Sequence, residues 1–150
     1  MNQEQAKSFL KDIIKIKSIN PPGNETEVAE KLKSLFDEHG IEAQLVEYDK
    51  NRSNLITHLK GEKDGPTLGL TGHMDVVPPG KIEWDYDPFG AEEEDGKIYG
   101  RGACDMKGGL AACALAMVLL KEEGFPKSGK ITLLATVGEE AGAVGSRSVN

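Results

Sequence analysis

Residues 108–120, GGLAACALAMVLL, constrain the fold more than any other stretch of the chain. Leu110, Ala111, Ala114, Leu115, Val118 and Leu119 spread over nearly every side of a helix. Such a helix has little surface to offer water and needs burial on several sides. It is expected to start just after Asp105 and to run to Glu123, where Gly124 and Pro126 end it. KITLLATVG then follows as a continuous apolar run, the pattern of a strand inside a sheet covered on both faces. A buried helix leading into a buried strand points to a layered α/β domain with a mixed sheet.

The remaining elements fit that frame. Phe9, Leu10, Ile13, Ile14 and Ile16 give residues 3–17 an apolar stripe of helical period. SINPPGN breaks the chain, because two prolines and a glycine cannot continue a helix. Asn24 with Glu27 resembles a capping box, and Val28, Leu32, Leu35 and Phe36 follow at helical spacing. Gly40 is a natural terminator, so a second helix is expected over about 24–39. Strands are expected near 41–48, 54–60 and 67–72, the last two separated by GEKDGP with its Asp64-Gly65 turn signal. EEAGAVGSRSVN reads as the opening of another helix.

Composition excludes several functions. With 150 residues, 38% of them hydrophobic and 29% charged, the chain suits one globular domain with a real core. A net charge of −7 and the lack of a basic stripe argue against nucleic acid as a partner. An anionic substrate stays open, since a metal or a local arginine can reverse the sign of one cleft. The longest apolar run, Leu110 to Leu120, falls short of the roughly 20 residues that span a bilayer. No membrane association is therefore expected. The N-terminus has no basic segment followed by an apolar one. Cys104 and Cys113 suit neither a zinc knuckle nor a disulfide framework. A reducing cytoplasm is the expected compartment.

Ligands of open α/β sheets bind beyond the carboxyl ends of the strands. Three polar segments lie at such places: GHMDVV with His73 and Asp75, RGACD with Asp105, and GEEAG with Glu139 and Glu140. Singly, each has a plain alternative: a loop histidine, a turn-capping Asp75, an N-capping Asp105, a glutamate pair favoured by a helix start. Together they place one imidazole and four carboxylates on one rim, where carboxylates repel unless a cation or shared proton compensates. That donor set, without a thiolate group, suits zinc, cobalt or manganese. Asp75 is placed to accept the other imidazole N–H of His73. Glu139 and Glu140 cannot point the same way in extended chain, so one can ligate while the other serves as general base. GRGACD lacks the third glycine of a dinucleotide-binding loop, and no G-K-[ST] follows. Cys104 lacks an orienting third group for nucleophilic catalysis and reads as a buried or spacer cysteine.

The segments GHMDVVPPG, WDYDPFGAEEEDGKIYGRGACDMKGGLAA and ATVGEEAGAVGS, with SINPPGNE before them, resemble the metal-dependent aminoacylase and carboxypeptidase family. Its members include acetylornithine deacetylase, succinyl-diaminopimelate desuccinylase, aminoacylase and carboxypeptidase G. The resemblance covers nearly the whole chain in order. It implies a three-layer α/β sandwich with a mixed, mostly parallel sheet, as in zinc-exopeptidase catalytic domains. It implies two divalent metal ions, zinc first and cobalt or manganese as alternatives. By the same resemblance His73 ligates one ion, Asp105 bridges both, Glu140 ligates the other, Glu139 is the general base and Asp75 supports His73. A cis Asp105–Met106 peptide is implied as well, with Gly108 and Gly109 giving the backbone room.

The implied reaction is hydrolysis of an N-acyl amide beside a free carboxylate, on a small N-acyl amino acid or short peptide. Succinyl-diaminopimelate is the first substrate expected, N-acetylornithine the second, and a dipeptidase of the same family is an alternative. The resemblance also implies a further carboxylate and a distant histidine from sequence after Asn150, since His39 and His58 match neither. The 150 residues are thus expected to be the N-terminal portion of the catalytic domain, without the rest of it or the inserted dimerisation domain. The full-length protein is expected to be a homodimer, and this chain alone an inactive fragment, at most a binding module.

Overall fold

A computed structural model describes residues 1–147. Two helices open the chain, α1 over Gln3–Lys15 and α2 over Thr26–Glu38. Three strands follow: β1 over Ala43–Asp49, β2 over Arg52–Lys60 and β3 over Lys63–His73. A short hairpin pairs β4, Glu92–Glu94, with β5, Lys97–Tyr99. The apolar helix α3 spans Gly108–Glu122, and β6 spans Ser128–Thr136.

The main sheet has the order β1-β2-β6-β3. It is mixed, as expected. β1–β2 and β2–β6 run antiparallel and only β3–β6 is parallel, so parallel pairing is the minority among the described residues. The long connection through the hairpin and α3 supplies the crossover that a parallel pair needs. β2 and β3 do not form a hairpin with each other, because β6 lies between them. Asp64 and Gly65 belong to the irregular start of β3, and Gly65 passes so close to Gly129 that a Cβ would lie 2.8 Å from its nitrogen.

Burial alternates along the sheet with period two. Leu55, Leu59, Ile131, Leu133 and Ala135 form one core with Phe9, Ile13, Val28, Leu32, Phe36, Leu110, Ala114, Met117 and Val118 from the three helices. The opposite face carries exposed Gln44, His58, Gly69 and Thr71 and half-buried Ile56, Thr132 and Leu134. Among the described residues the helices therefore form one layer on one face, and the second helical layer of the expected sandwich is not among them. With the turn before it, α3 is apolar over Ala103–Glu122, long enough by length and composition to cross a membrane and longer than the run read from the sequence. Here it buries one face, with Leu110, Ala111, Ala114, Met117 and Val118, while Ala112, Ala116 and Leu119 are exposed, so the expected burial on several sides is not met among the described residues.

Capping differs from expectation. Asn2 and Gln5 close a reciprocal capping box on α1. The Asn24–Glu27 box does not form on α2, whose cap position is Glu25, already helical at φ −75° and ψ −20°. The Glu25 side chain is turned into the protein to meet Arg52. Gly40 ends α2 at φ +66°, as expected. At the far end residues 139–144, expected to open a helix, form turns instead, and a single 3-10 turn covers Gly145–Arg147; Ser148 to Asn150 lie outside the described residues.

Candidate metal centre

His73 is the last residue of β3, and its strand partner across the parallel pair is Thr136 at the end of β6. The carboxyl ends of two neighbouring strands thus deliver His73 and, just beyond Thr136, the Glu139–Glu140 turn to one rim. Asp105 reaches the same rim from the turn before α3. That turn is closed by the Lys107 N–H donating to the Gly102 carbonyl at 2.8 Å. Asp105 itself is extended, φ −122° and ψ 98°, and the Asp105–Met106 peptide is cis. The helix starts only at Gly108 and receives no side-chain cap, so Asp105 is not an N-cap. Its carboxylate is left to face His73. Gly108 leaves needed space, since a Cβ there would lie 2.3 Å from the Ala103 carbonyl oxygen; Gly109 has no such crowding.

The imidazole is held from behind and open in front. His73 Nδ1 lies 2.9 Å from the backbone carbonyl of Asp75 and 3.5 Å from its carboxylate. The expected carboxylate contact is thus secondary to the backbone one. With Nδ1–H donating to that carbonyl, Nε2 presents its lone pair to the rim. Nε2 lies 3.1 Å from Asp105 Oδ1 and 3.8 Å from Glu139 Oε2. Ligand atoms of His73, Asp105 and Glu140 all fall within 4.8 Å of one another. In the metal-free form burial opposes protonation of His73. Its bonds to Asp75 and then Asp105 outweigh that, and it is pushed up to about 9. Glu140 is pushed up by burial and then by Asp105, Asp75 and Glu139, against the pull of His73. The carboxylates around Glu140 thus disfavour its charge, a repulsion that a cation in the cluster would relieve.

Asp75 is fully buried and does more than support His73. Its Oδ2 accepts from Asn20 Nδ2 at 2.8 Å and from the Glu140 N–H at 3.1 Å, and its Oδ1 accepts from the Glu139 N–H at 3.1 Å. Burial disfavours its charge, yet the bonds from His73, Asn20 and the two N–H groups hold it below the usual carboxylate range. Asn20 is positioned by pairing of Ser18 and Asn20 with the Val76 backbone. This gives SINPPGNE a task that spacing could not show.

Sequence reasoning missed Asn20, Glu25, Arg52, Asn54 and Lys107. Asn20, Glu25 and Lys107 lie inside segments that the resemblance had already marked. Lys107 is fully buried and donates from Nζ to the carbonyls of Ile13 at 2.8 Å and Ile16 at 2.7 Å, tying the Asp105 turn to the end of α1. Cys104 is exposed, which leaves the spacer reading of the two expected, and both cysteines are free. His39 pairs with Glu122 and His58 with Thr132, so neither joins the cluster.

Fold and site together define a class: an α/β domain with an imidazole–carboxylate metal-ligand cluster at the carboxyl ends of adjacent strands. Residues 69–149 match peptidase family M20/M25/M40. The chain belongs to that family. It is 39% identical over 148 residues to a probable succinyl-diaminopimelate desuccinylase of Staphylococcus epidermidis, covering 98% of this chain and 36% of the relative. An M20 family metallo-carboxypeptidase from Sulfolobus solfataricus superposes with a TM-score of 0.82 at 31% identity, over 97% of this chain and 33% of that one. A tripeptidase from Staphylococcus aureus gives 0.73 at 28% identity, over 100% and 40%. The chain thus spans about a third of the length of these relatives.

Proposed function

We propose that this chain is the N-terminal portion of the catalytic domain of a metal-dependent amidohydrolase acting on small N-acyl amino acids. The observation that carries the reading is the convergence of His73, Asp105 and Glu140 on one point, with Glu139 beside them. The donor set fits zinc, with cobalt or manganese as alternatives. His73 would hold one ion, Glu140 a second, and Asp105 would bridge them. Such ions supply Lewis-acid chemistry, polarising an amide carbonyl and acidifying a water.

The chain's own residues supply the rest. Glu139 projects from the turn after β6 with its side chain half exposed, open to a substrate at the rim. It takes the proton of the attacking water and passes it to the leaving nitrogen as the amide bond breaks. Asp75 holds both neighbours of that step, His73 through Nδ1 and the Glu139–Glu140 turn through its N–H groups. The name of the Staphylococcus epidermidis relative supports N-succinyl-diaminopimelate as the first proposed substrate, and N-acetylornithine is the second. The likeness to a tripeptidase supports short-peptide cleavage as the alternative. Three protein ligands are too few for two ions, so hydrolysis is assigned to the longer protein, a cytoplasmic homodimer, and not to these residues alone.

In the full-length protein Glu139→Gln should retain bound metal and lose turnover by 100-fold or more, on the order of a general base's contribution. Asp105→Ala should lose both metal and turnover. Metal analysis beside assays on N-succinyl-diaminopimelate, N-acetylornithine and dipeptides separates the roles. Equal metal loss in the two variants would sink the assignment.

A further inference from the structure

Four consecutive backbone N–H groups at the end of β6 donate to side chains from three separate segments. Val137 donates to Asn54 Oδ1 at 2.9 Å and Gly138 to Glu25 Oε1 at 3.1 Å. Glu139 and Glu140 donate to the two oxygens of Asp75. The Glu25 carboxylate is fully buried and is seated on Arg52, whose Nε and Nη2 reach it at 3.0 and 2.7 Å. A bidentate guanidinium–carboxylate pair fixes both partners in plane and in angle. Gly138 sits directly on it at φ +68°, and a Cβ there would lie 2.9 Å from Arg52 Nη2 and 2.4 Å from Val144 Cγ2. The pair therefore meets bare backbone one residue before Glu139, and that residue has room for nothing else.

We infer that Glu25, seated on Arg52, is a positioning residue for Glu139. It sets where the turn leaves the sheet, while Asp75 sets the angle of the next two residues. Taking a charged pair out of water is unfavourable unless its geometry is fully used, and here the remaining lone pair of Glu25 Oε1 goes to the Gly138 N–H. The inference rests on Glu139 being the general base, so its test has one arm that does not need turnover.

Two variants of the full-length protein suit. Glu25→Gln keeps volume but offers Arg52 an amide where it had an oxygen. The double Glu25→Leu, Arg52→Leu variant removes both charges and leaves no lone buried ion. Amide exchange at Gly138 should accelerate at least about tenfold relative to Val137, which Asn54 still holds. Metal content should be retained, with kcat falling about 10- to 100-fold and KM little changed, as expected for a misplaced catalytic group. Leu35→Ala, a core change in α2 that also lowers the melting temperature, should leave kcat intact. Unchanged exchange at Gly138, metal loss in proportion to kcat, or an equal kcat loss in Leu35→Ala would each overturn the inference. If the unmodified protein hydrolyses none of the substrates, the proposed function fails, and exchange at Gly138 alone still decides whether Glu25 holds the turn.

Discussion

Lys107→Met isolates the clip between α1 and the Asp105 turn. The ammonium donates to two carbonyls at the C-terminal end of α1, at 2.8 and 2.7 Å, from a fully buried position. A hydrogen bond from a charged donor contributes about 1.5–3 kcal/mol, and a buried acceptor left without its partner costs about 1–3 kcal/mol. Against this, burial pushes Lys107 down from 10.5 to about 8, with Glu27 pulling the other way. That difference corresponds to about 3 kcal/mol of disfavoured charge. Two such bonds are worth about 3–6 kcal/mol, which leaves a loss of up to about 3 kcal/mol in the variant at pH 7. Between pH 8 and 10.5 the unfolded chain keeps a proton that the folded Lys107 has released, so wild-type stability rises with pH there through this group. Methionine cannot follow. The deficit of the variant should therefore widen, by up to about 3 kcal/mol, as pH rises through that window. His73 works in the opposite sense, since its raised value stabilises the metal-free fold below about 6.5 and that contribution is lost as pH rises through about 9. It is common to both proteins and cancels in the difference. Urea denaturation of metal-free protein at pH 7, 8, 9 and 10 measures the gap directly. A gap that narrows with pH would mean the two carbonyls hold the ammonium more strongly than burial repels it. No gap at pH 7 would mean the clip contributes nothing.

Metal uptake should itself depend on pH, because the proton on His73 must leave before Nε2 can ligate. Zinc affinity measured against a competing chelator should rise about tenfold per pH unit from pH 7 towards about 9, and a flat profile would refute this. Gly108→Ala forces a Cβ against the Ala103 carbonyl oxygen, so it should destabilise by about 2 kcal/mol and weaken metal binding; thermal melts and metal titration check both. Phe36→Ala empties a fully buried position in the core and should cost about 3–5 kcal/mol in denaturant unfolding while leaving metal stoichiometry unchanged.

Periodicity located both first helices, the sheet strands and the buried helix within a few residues, because apolar spacing reports which face meets the core. Local chemistry was less legible where tertiary partners decided it. Asn24 and Glu27 have the spacing of a capping box, yet Arg52 claims the Glu25 between them and the cap falls one residue later than that box requires. Asp64-Gly65 and Asp95-Gly96 look alike in sequence. Only the second makes a hairpin, since β6 separates the strands around the first. That His73, Asp105 and Glu140 gather at one rim was legible because each is a donor side chain in a polar segment following an apolar one. Asn20, Glu25 and Lys107 were not, since each acts on backbone groups brought near only by folding.

Asp75 ties together Asn20, His73 and the Glu139–Glu140 turn, bonds that bridge 55 and 65 residues of chain. The Glu25 contact to Gly138 closes a loop of 113. The rim thus has no local precursor: no single helix or hairpin brings together any two of His73, Asp105 and Glu140. A half-folded chain should hold metal no better than an unfolded one, which makes a cobalt chromophore at this rim a reporter for the final step of folding.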